Sequence, residues 1–120
     1  MYNENHNLLS EKATKLKQQA LFKYISDECI SEIVTTAEDL HLLKNEVLFR
    51  KGERYHKGIY FLLNGKVGLS SQDKTNKIFC ENEAVGLSTF LGKTMYTMDA
   101  KAETDCDLLF IRELYIYKLM

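Results

Sequence analysis

Hydroxyl side chains and a glycine are concentrated in one stretch of the chain, residues 84–102, AVGLSTFLGKTMYTMDAKA. A short apolar strand end precedes Gly86, and residues 87–91 are typical of one helical turn that ends at Gly92. Glycine lets a backbone approach a ligand closely, and the N–H groups that open a helical turn point toward an anion. The stretch therefore predicts a cradle for a small anionic ligand. Its candidate ligand-binding residues are Gly86, Leu87, Ser88, Thr89, Tyr96 and Thr97.

The same residues are also compatible with a purely structural role. Residues 86–90 can form a corner of a β scaffold that is kept for folding, and the sequence leaves both readings open. Tyr96 can stack on a ring-bearing ligand or fill the pocket, and we favour filling. The cradle remains a candidate site at this point.

Catalytic and metal-binding patterns are missing from the sequence. We find no Ser/His/Asp order, no P-loop and no carboxylate pair near the cradle. The cysteines are Cys29, Cys80 and Cys106, and the histidines are His6, His41 and His56. Neither set has the close spacing of a metal site, such as C-x-x-C or His-x-His. We therefore expect no enzyme, no metal and no cofactor, apart from a nucleotide or another small anionic ligand of unknown identity.

Composition limits the partners. The 120 residues have a net charge of −1, with 45% hydrophobic and 28% charged residues, which is ordinary for one globular domain. This charge gives no bulk attraction to nucleic acid, and no apolar run approaches the roughly 20 residues of a membrane span. A polar N-terminus and three scattered cysteines favour a reducing compartment. We expect a cytoplasmic chain that by itself binds neither nucleic acid nor membrane.

Two amphipathic helices are predicted before the strands. We expect residues 1–9 to be a flexible lead-in and residues 10–120 to be a single domain. Ser10 is a candidate cap for a first helix with apolar residues at 13, 16 and 20. Ser26 is a candidate cap for a second helix, with apolar residues at 30, 33, 34 and 37.

Short strands separated by turns follow from residue 39 onward. The predicted strands are residues 39–43, 46–50, 58–63, 66–71, 77–81, 84–85, 95–102 and 106–111. Asn64-Gly65 indicates a tight hairpin, residues 72–76 a polar loop, and residues 112–120 the start of a last helix. The pattern predicts a mainly β fold with flanking helices. Specifically, it predicts a jelly-roll (double-stranded β-helix) barrel of about eight strands, with N-terminal helices and a C-terminal helix start.

The order of these turns and apolar runs resembles the cyclic nucleotide-binding domain family, over about residues 20–113. Lys51-Gly52-Glu53 resembles its first glycine turn, and IYFLLNGKV at residues 59–67 is similar to its most specific core motif. Val85-Gly86 resembles the start of its phosphate-binding cassette. The resemblance implies a regulatory domain of the type found in catabolite activator protein, kinase regulatory subunits and gated channels.

Two positions depart from the cassette of the ligand-binding members. There, a Glu takes the ribose hydroxyls and an Arg pairs with the cyclic phosphate; an ungapped alignment places Leu87 and Tyr96 at these positions, followed by Thr97. Losing both charged contacts should cost several kcal/mol, on the order of 10²–10⁴ in affinity. Lys93 and Lys101 are nearby replacements for the charge, but we expect Lys101 on the strand face opposite Tyr96. The resemblance therefore implies weak or no binding of cAMP and cGMP.

Three non-enzymatic functions remain open from the sequence. The first is a ligand sensor whose cradle repositions the helices at residues 26–37 and 112–120, acting on an output domain or a partner protein. The second is a protein-interaction module, with a homodimer as one form. The third is the effector domain of a longer transcription regulator whose DNA-binding part is not in this chain. An open, partly polar pocket favours the first, and a pocket plugged by Leu87, Phe90 or Tyr96 favours the second.

Overall fold

The computed structural model describes residues 4–19, 22–72, 74–92 and 94–118, with all of their side chains except those of residues 4–10 and 88. Its helices are α1 (Glu4–Lys17), α2 (Asp27–Thr36), α3 (Leu87–Gly92) and α4 (Glu113–Tyr117). Its strands are β1 (Glu38–Leu42), β2 (Val47–Phe49), β3 (Gly58–Asn64), β4 (Val67–Ser71), β5 (Lys74–Phe79), β6 (Ala84–Val85), β7 (Asp99–Ala102) and β8 (Cys106–Arg112).

The eight described strands form two antiparallel four-stranded sheets. The first sheet has the order β1-β8-β3-β6 and the second has the order β2-β7-β4-β5. The mainly β class, the flanking helices and the strand number are thus confirmed. The sheets are not closed into a barrel, however. They form a sandwich in which β6 and β5, on neighbouring segments of the chain, are free edges of the two sheets.

Strands β3 and β8 are buried on both faces, because helices cover the side of the first sheet that faces away from the second. Side chains alternate along a strand, so Ile59 and Phe61 pack with the helices while Tyr60 and Leu62 pack between the sheets. Strand β8 shows the same division, as its sequence predicts. The molecule therefore has two apolar cores, one on the helix side and one between the sheets.

The predicted helix starts have different outcomes. Ser26 caps α2, since its hydroxyl accepts a hydrogen bond from the backbone N–H of Cys29 at 3.3 Å. The predicted cap at Ser10 is wrong, because α1 begins at Glu4. A serine inside a helix costs less than about 0.7 kcal/mol relative to alanine, so a capping residue alone does not force a helix to begin there. The division between a flexible lead-in and a domain stays a prediction.

Two strand boundaries are corrected. Strand β5 begins at Lys74, inside the predicted loop, because the β4–β5 hairpin pairs Ser71 with Lys74 and leaves a short turn. Strand β7 begins at Asp99 rather than at residue 95. The reason is that Tyr96 bonds a turn instead of a strand: its N–H donates to Glu53 O at 2.9 Å, and its carbonyl accepts from Gly52 N at 2.8 Å. The segment before β7 is therefore free to line a cleft.

The remaining strand boundaries agree within one or two residues, but two helix ends differ. Helix α1 ends at Lys17, and residue 20, the last apolar residue of the predicted first helix, lies outside the described residues. Helix α4 ends at Tyr117, and the last two residues of the predicted helix, 119 and 120, lie outside the described residues. The predicted hairpin at Asn64-Gly65 joins β3 to β4, and Gly65 has a φ of +94°, a conformation that favours glycine.

Candidate functional site

A cleft of about 460 Å³ opens at the side of the sandwich where the free edges β5 and β6 face each other. Its walls come from both sheets, from α3, from the segment before β7 and from the end of the α1 region. The lining residues are Gln19, Phe49, Leu69, Lys77, Phe79, Glu83, Ala84, Gly86, Leu87, Thr89, Leu91, Tyr96, Thr97 and Met98. Apolar side chains thus dominate, with polar groups at a few positions.

Five of the six predicted cradle residues line this one cleft. They are Gly86, Leu87, Thr89, Tyr96 and Thr97. Ser88 lies in α3, but its side chain is outside the described residues. The fold brings together two groups of residues that are separated by the helix and the following loop. Ligand binding by these residues stays a prediction.

A glycine is required at position 86 by the backbone conformation rather than by a lack of room for a side chain. Its φ is +87°, in the left-handed region, and a Cβ there would meet Tyr96 and Phe49 at ordinary distances of 3.7 and 3.8 Å. The carbonyl of Gly86 accepts the first hydrogen bond of α3, from Phe90 N at 3.0 Å. The glycine therefore lets β6 turn directly into α3 beside the cleft.

Tyr96 forms the floor of the cleft. Its side chain is 2% exposed and its ring stacks on Phe49, with 3.7 Å between ring centroids and 9° between planes. Its hydroxyl oxygen accepts a hydrogen bond from His56 N at 3.3 Å. Burial raises the pKa of Tyr96 above its ordinary value of 10.0. At the position that the ungapped alignment matches to the arginine of the family cassette, this chain has a buried ring that belongs to the core between the sheets.

The other two residues expected to plug the pocket do not close it. Phe90 is 4% exposed and packs in the helix-side core, where its ring lies 6.4 Å from that of Tyr55 and 5.9 Å from that of Tyr117. Leu87 is half-buried against the same core and also borders the cleft. The cleft is open, as expected for a ligand sensor, but its floor is filled by Tyr96, as expected for a protein-interaction module.

The charged residues of the described cleft lining are Lys77 and Glu83, and the sequence interpretation missed both. The Lys77 ammonium lies 4.6 Å from the centroid of the Phe79 ring. One Glu83 carboxylate oxygen accepts a hydrogen bond from Cys80 N at 2.7 Å. Period-two alternation along β5 is the signal that could have placed Lys77 on the same strand face as Phe79. Glu83 is only three residues before Gly86 in the sequence, whereas Lys77 reaches the cleft through the pairing of β5 with β4, which the sequence does not show.

The two lysines considered as replacement charges are not part of the described lining. Lys101 is exposed, and its neighbours Ala100 and Ala102 are both buried between the sheets, so Lys101 is on the outer face of β7. This agrees with the predicted orientation away from Tyr96. Lys93 lies outside the described residues.

A second cleft, of about 380 Å³, lies between α1 and the β1–β8 side of the first sheet. Two pairs of side chains in its lining contact each other: Lys12 with Asp39, and His41 with Asp107, the latter at 2.7 Å between Nδ1 and Oδ1. The hydrogen bond between His41 and Asp107 raises the pKa of the imidazole and lowers that of the carboxyl. These pairs join α1 to β1 and β1 to β8.

The cysteines, histidines and carboxylates of the described residues form no metal site. No group of three or more His, Cys, Asp or Glu side chains in that part of the chain could hold a metal ion. The cysteines Cys29, Cys80 and Cys106 are free thiols. None of the described helices is long and apolar enough to cross a membrane.

The sandwich, its helix-side cover and the cleft beside Gly86 define a small β domain with an open pocket at one side. Residues 39–120 match the family described as the cyclic nucleotide-binding domain, and the chain belongs to that family. Among curated proteins, no sequence matches the chain.

Solved structures show the same fold at low sequence identity. The regulatory domain of Toxoplasma gondii PKA with cAMP is 14% identical, with a TM-score of 0.87 over 95% of this chain and 45% of that one. The sensor domain of the transcriptional regulator DNR from Pseudomonas aeruginosa is 20% identical, with a TM-score of 0.82 over 93% of this chain and 78% of that one.

A third similar structure is the regulatory subunit of a cAMP-independent protein kinase A from Trypanosoma cruzi, bound to guanosine. It is 13% identical, with a TM-score of 0.85 over 92% of this chain and 40% of that one. The chain thus spans less than half the length of the two kinase-related proteins. These similarities establish the fold of this chain.

Proposed function

We propose that this chain is a non-enzymatic regulatory domain of the cyclic nucleotide-binding type, in which a small molecule in the cleft controls the flanking helices. The observation that supports this most is the open cleft beside Gly86, lined by five of the six residues expected from the family cassette. A volume of about 460 Å³ lies within the range of small-molecule sites, about 300–1,000 Å³. The cassette residues therefore border enough space for a nucleoside-sized ligand.

Cyclic AMP and cyclic GMP should bind weakly or not at all. Leu87 offers no carboxylate for a ribose hydroxyl, and Tyr96 offers no charge for a phosphate. The similar structure from Trypanosoma cruzi is bound to guanosine, a nucleoside that has no phosphate. That precedent supports a ligand class in which base and ribose contribute more than phosphate.

Helix α3 is the element through which a ligand would act on the helices. Leu87 and Thr89 border the cleft, while Phe90 of the same helix is in the helix-side core. That core includes Ile30 and Ile33 of α2 and Ile116 of α4. A ligand that shifts α3 therefore acts on packed side chains of both helices. The output domain or partner protein that would respond is not defined by this chain.

A protein-interaction module is the alternative function, and exposed apolar side chains favour it. Leu91 at the end of α3 is 70% exposed and Leu114 in α4 is 61% exposed. A homodimer or a docked output domain would cover such residues. The similarity to the sensor domain of a transcriptional regulator also keeps open an effector domain of that kind.

The test is a thermal-shift titration with cAMP, cGMP, adenosine and guanosine. A ligand at 100 times its Kd stabilises the native state by about 2.7 kcal/mol, which gives a clear rise in Tm. The variant Thr97→Trp places a large ring in the cleft from an exposed position and should abolish the shift. Thr94→Trp adds the same ring at an exposed residue outside the cleft lining and is the matched control.

Three outcomes decide between the functions. A shift that Thr97→Trp abolishes and Thr94→Trp preserves supports the sensor. A shift that persists in Thr97→Trp shows that binding occurs elsewhere and contradicts the cleft assignment. No shift with any of the four compounds, together with a dimer in light scattering, favours the interaction module.

A further inference from the structure

We propose that Lys77 on β5 supplies the positive charge that the cassette lacks at Tyr96, so that the cleft prefers a ring-bearing ligand with an anionic group over the same ligand without it. This inference rests on the proposed function, because it assigns a specificity-determining residue to the same cleft. It places the charge on β5, a strand of the second sheet that is outside the cassette.

The position of Lys77 is set by its strand. Strand β5 is the free edge of the second sheet and borders the opening of the sandwich. Lys77 and Phe79 are two residues apart on this strand, so their side chains share one face, and both line the cleft. Phe79 in turn packs against the core between the sheets. The ring therefore gives the lysine a fixed support.

The Lys77 ammonium lies over that ring and is free of carboxylate partners in the described part of the chain. Its Nζ is 4.6 Å from the Phe79 ring centroid, within the distance at which a cation is attracted to an aromatic face. In contrast, Lys12, Lys15 and Lys17 each have a carboxylate within 4.0 Å. The charge of Lys77 is thus not already used by an ion pair with a described residue.

Glu83 is the opposing charge in the described lining. One of its oxygens accepts a hydrogen bond from Cys80 N, which directs the carboxylate toward the β5–β6 turn. Thr89 and Thr97 add hydroxyl groups, and Leu69 and Met98 add apolar surface. A ligand with an apolar or aromatic ring and one anionic group matches this combination.

The expected effect is moderate because Lys77 is exposed. An exposed ion pair contributes up to about 1 kcal/mol, which is about two- to fivefold in affinity. The probes are cAMP and adenosine, which share a base and a ribose but differ in the anionic phosphate. Binding to the ¹⁵N-labelled chain is followed by NMR titration, which measures weak affinities, and the ratio of the two Kd values reports the preference for the anion.

The decisive variant is Lys77→Gln, and Lys74→Gln is its matched control. Lys74 is an exposed lysine of the same strand that does not line the cleft. We expect the wild type and Lys74→Gln to bind cAMP about two- to fivefold more tightly than adenosine. We expect Lys77→Gln to lose this preference while its adenosine affinity is unchanged. Both side chains are exposed, and matching NMR spectra verify that the variants are folded.

The outcomes separate this inference from the proposed function. If Lys77→Gln keeps the wild-type preference, or if the wild type binds the two compounds equally, Lys77 is not the anion partner, and nucleoside binding by the cleft still stands. If neither compound perturbs the cleft resonances of the wild type, the nucleoside-sensor proposal fails together with the inference. A loss of preference in both lysine variants would mean that general surface charge, rather than Lys77, attracts the anion.

Discussion

Restoring the family arginine by Tyr96→Arg should destabilise the domain before it creates a phosphate site. The reason is that Tyr96 is 2% exposed and forms the floor of the cleft. Its ring is stacked on Phe49, and its hydroxyl accepts a hydrogen bond from His56 N. An arginine cannot replace that ring, and its guanidinium must reach the open cleft to stay hydrated.

The magnitude follows from these contacts. Truncating a buried aromatic residue typically costs about 3–5 kcal/mol, of which a ring pair of this kind contributes about 0.5–1.5 kcal/mol beyond its buried area. The hydrogen bond from His56 adds about 1 kcal/mol. The aliphatic stem of arginine recovers part of the apolar contact, so we expect a net loss of roughly 3 kcal/mol. For a domain of this size that is a fall in Tm of about 10 °C or more.

The assay is urea unfolding followed by circular dichroism, with Tyr96→Phe as the matched control. The control keeps the stacked ring and loses only the hydroxyl, so it should cost about 1 kcal/mol. If Tyr96→Arg is within about 1 kcal/mol of the wild type, the ring is not an essential part of the floor and the reasoning is refuted. The same measurement is needed for the double variant with Leu87→Glu, since a failure to bind cAMP is informative only in a folded protein.

Two further predictions concern stability away from the cleft. The His41–Asp107 hydrogen bond raises the pKa of His41 from 6.5 and lowers that of Asp107 from 3.8, so its stabilising effect is present between these two pH values. This stabilisation is lost as pH rises through the raised pKa of His41 or falls through the lowered pKa of Asp107. His41→Gln should therefore flatten the dependence of Tm on pH, measured from acid to neutral pH. Gly65→Ala should cost about 2 kcal/mol or more in urea unfolding, because a Cβ at this position would collide with the carbonyl of Asp105. Gly52 also has a positive φ, but no atom lies within 4 Å of a Cβ built there, so Gly52→Ala should cost about 1 kcal/mol in the same assay. Equal losses for the two glycines would contradict the assigned collision.

The sequence allowed the strands to be located because their local signals are strong. The apolar run in β3, the turn at Asn64-Gly65 and the alternation in β8 each indicate a strand without reference to the rest of the fold. The start of β7 could not be predicted in this way. Tyr96 looks like part of a strand, but its backbone is bonded to the turn at residues 52–53, which is distant in sequence.

The cleft was predicted only on its cassette side. Gly86 and the hydroxyl residues after it lie in one stretch of sequence, so their proximity follows from local structure. Phe49 and Lys77 reach the same cleft through the pairing of strands within the second sheet, whereas Glu83 lies in the turn directly before β6. Long-range juxtapositions have no signature in a single sequence, which explains why Lys77 was missed, whereas Glu83 is close enough to Gly86 in sequence to have been considered.

The cleft is connected to the helices in two physically different ways. On one side, α3 joins the cleft to the helix-side core through buried apolar side chains, including Phe90 at 4% exposure. On the other side, Asn82 in the β5–β6 turn donates to Gln18 Oε1 at 2.8 Å and accepts from Gln19 Nε2 at 3.1 Å, which ties that turn to the end of α1.

These two connections differ in strength. A partly exposed hydrogen bond contributes about 1 kcal/mol, and water can replace either amide partner if α1 moves. Buried side chains in contact have no such substitute, since separating them leaves a cavity. A ligand that displaces α3 should therefore act on every helix that reaches this core, which includes α2, α4 and, through the fully buried Leu16, α1. The β5–β6 turn, in contrast, can separate from residues 18 and 19 at small cost. Occupancy of the cleft would accordingly be transmitted through the helix-side core rather than through the hydrogen bonds of Asn82.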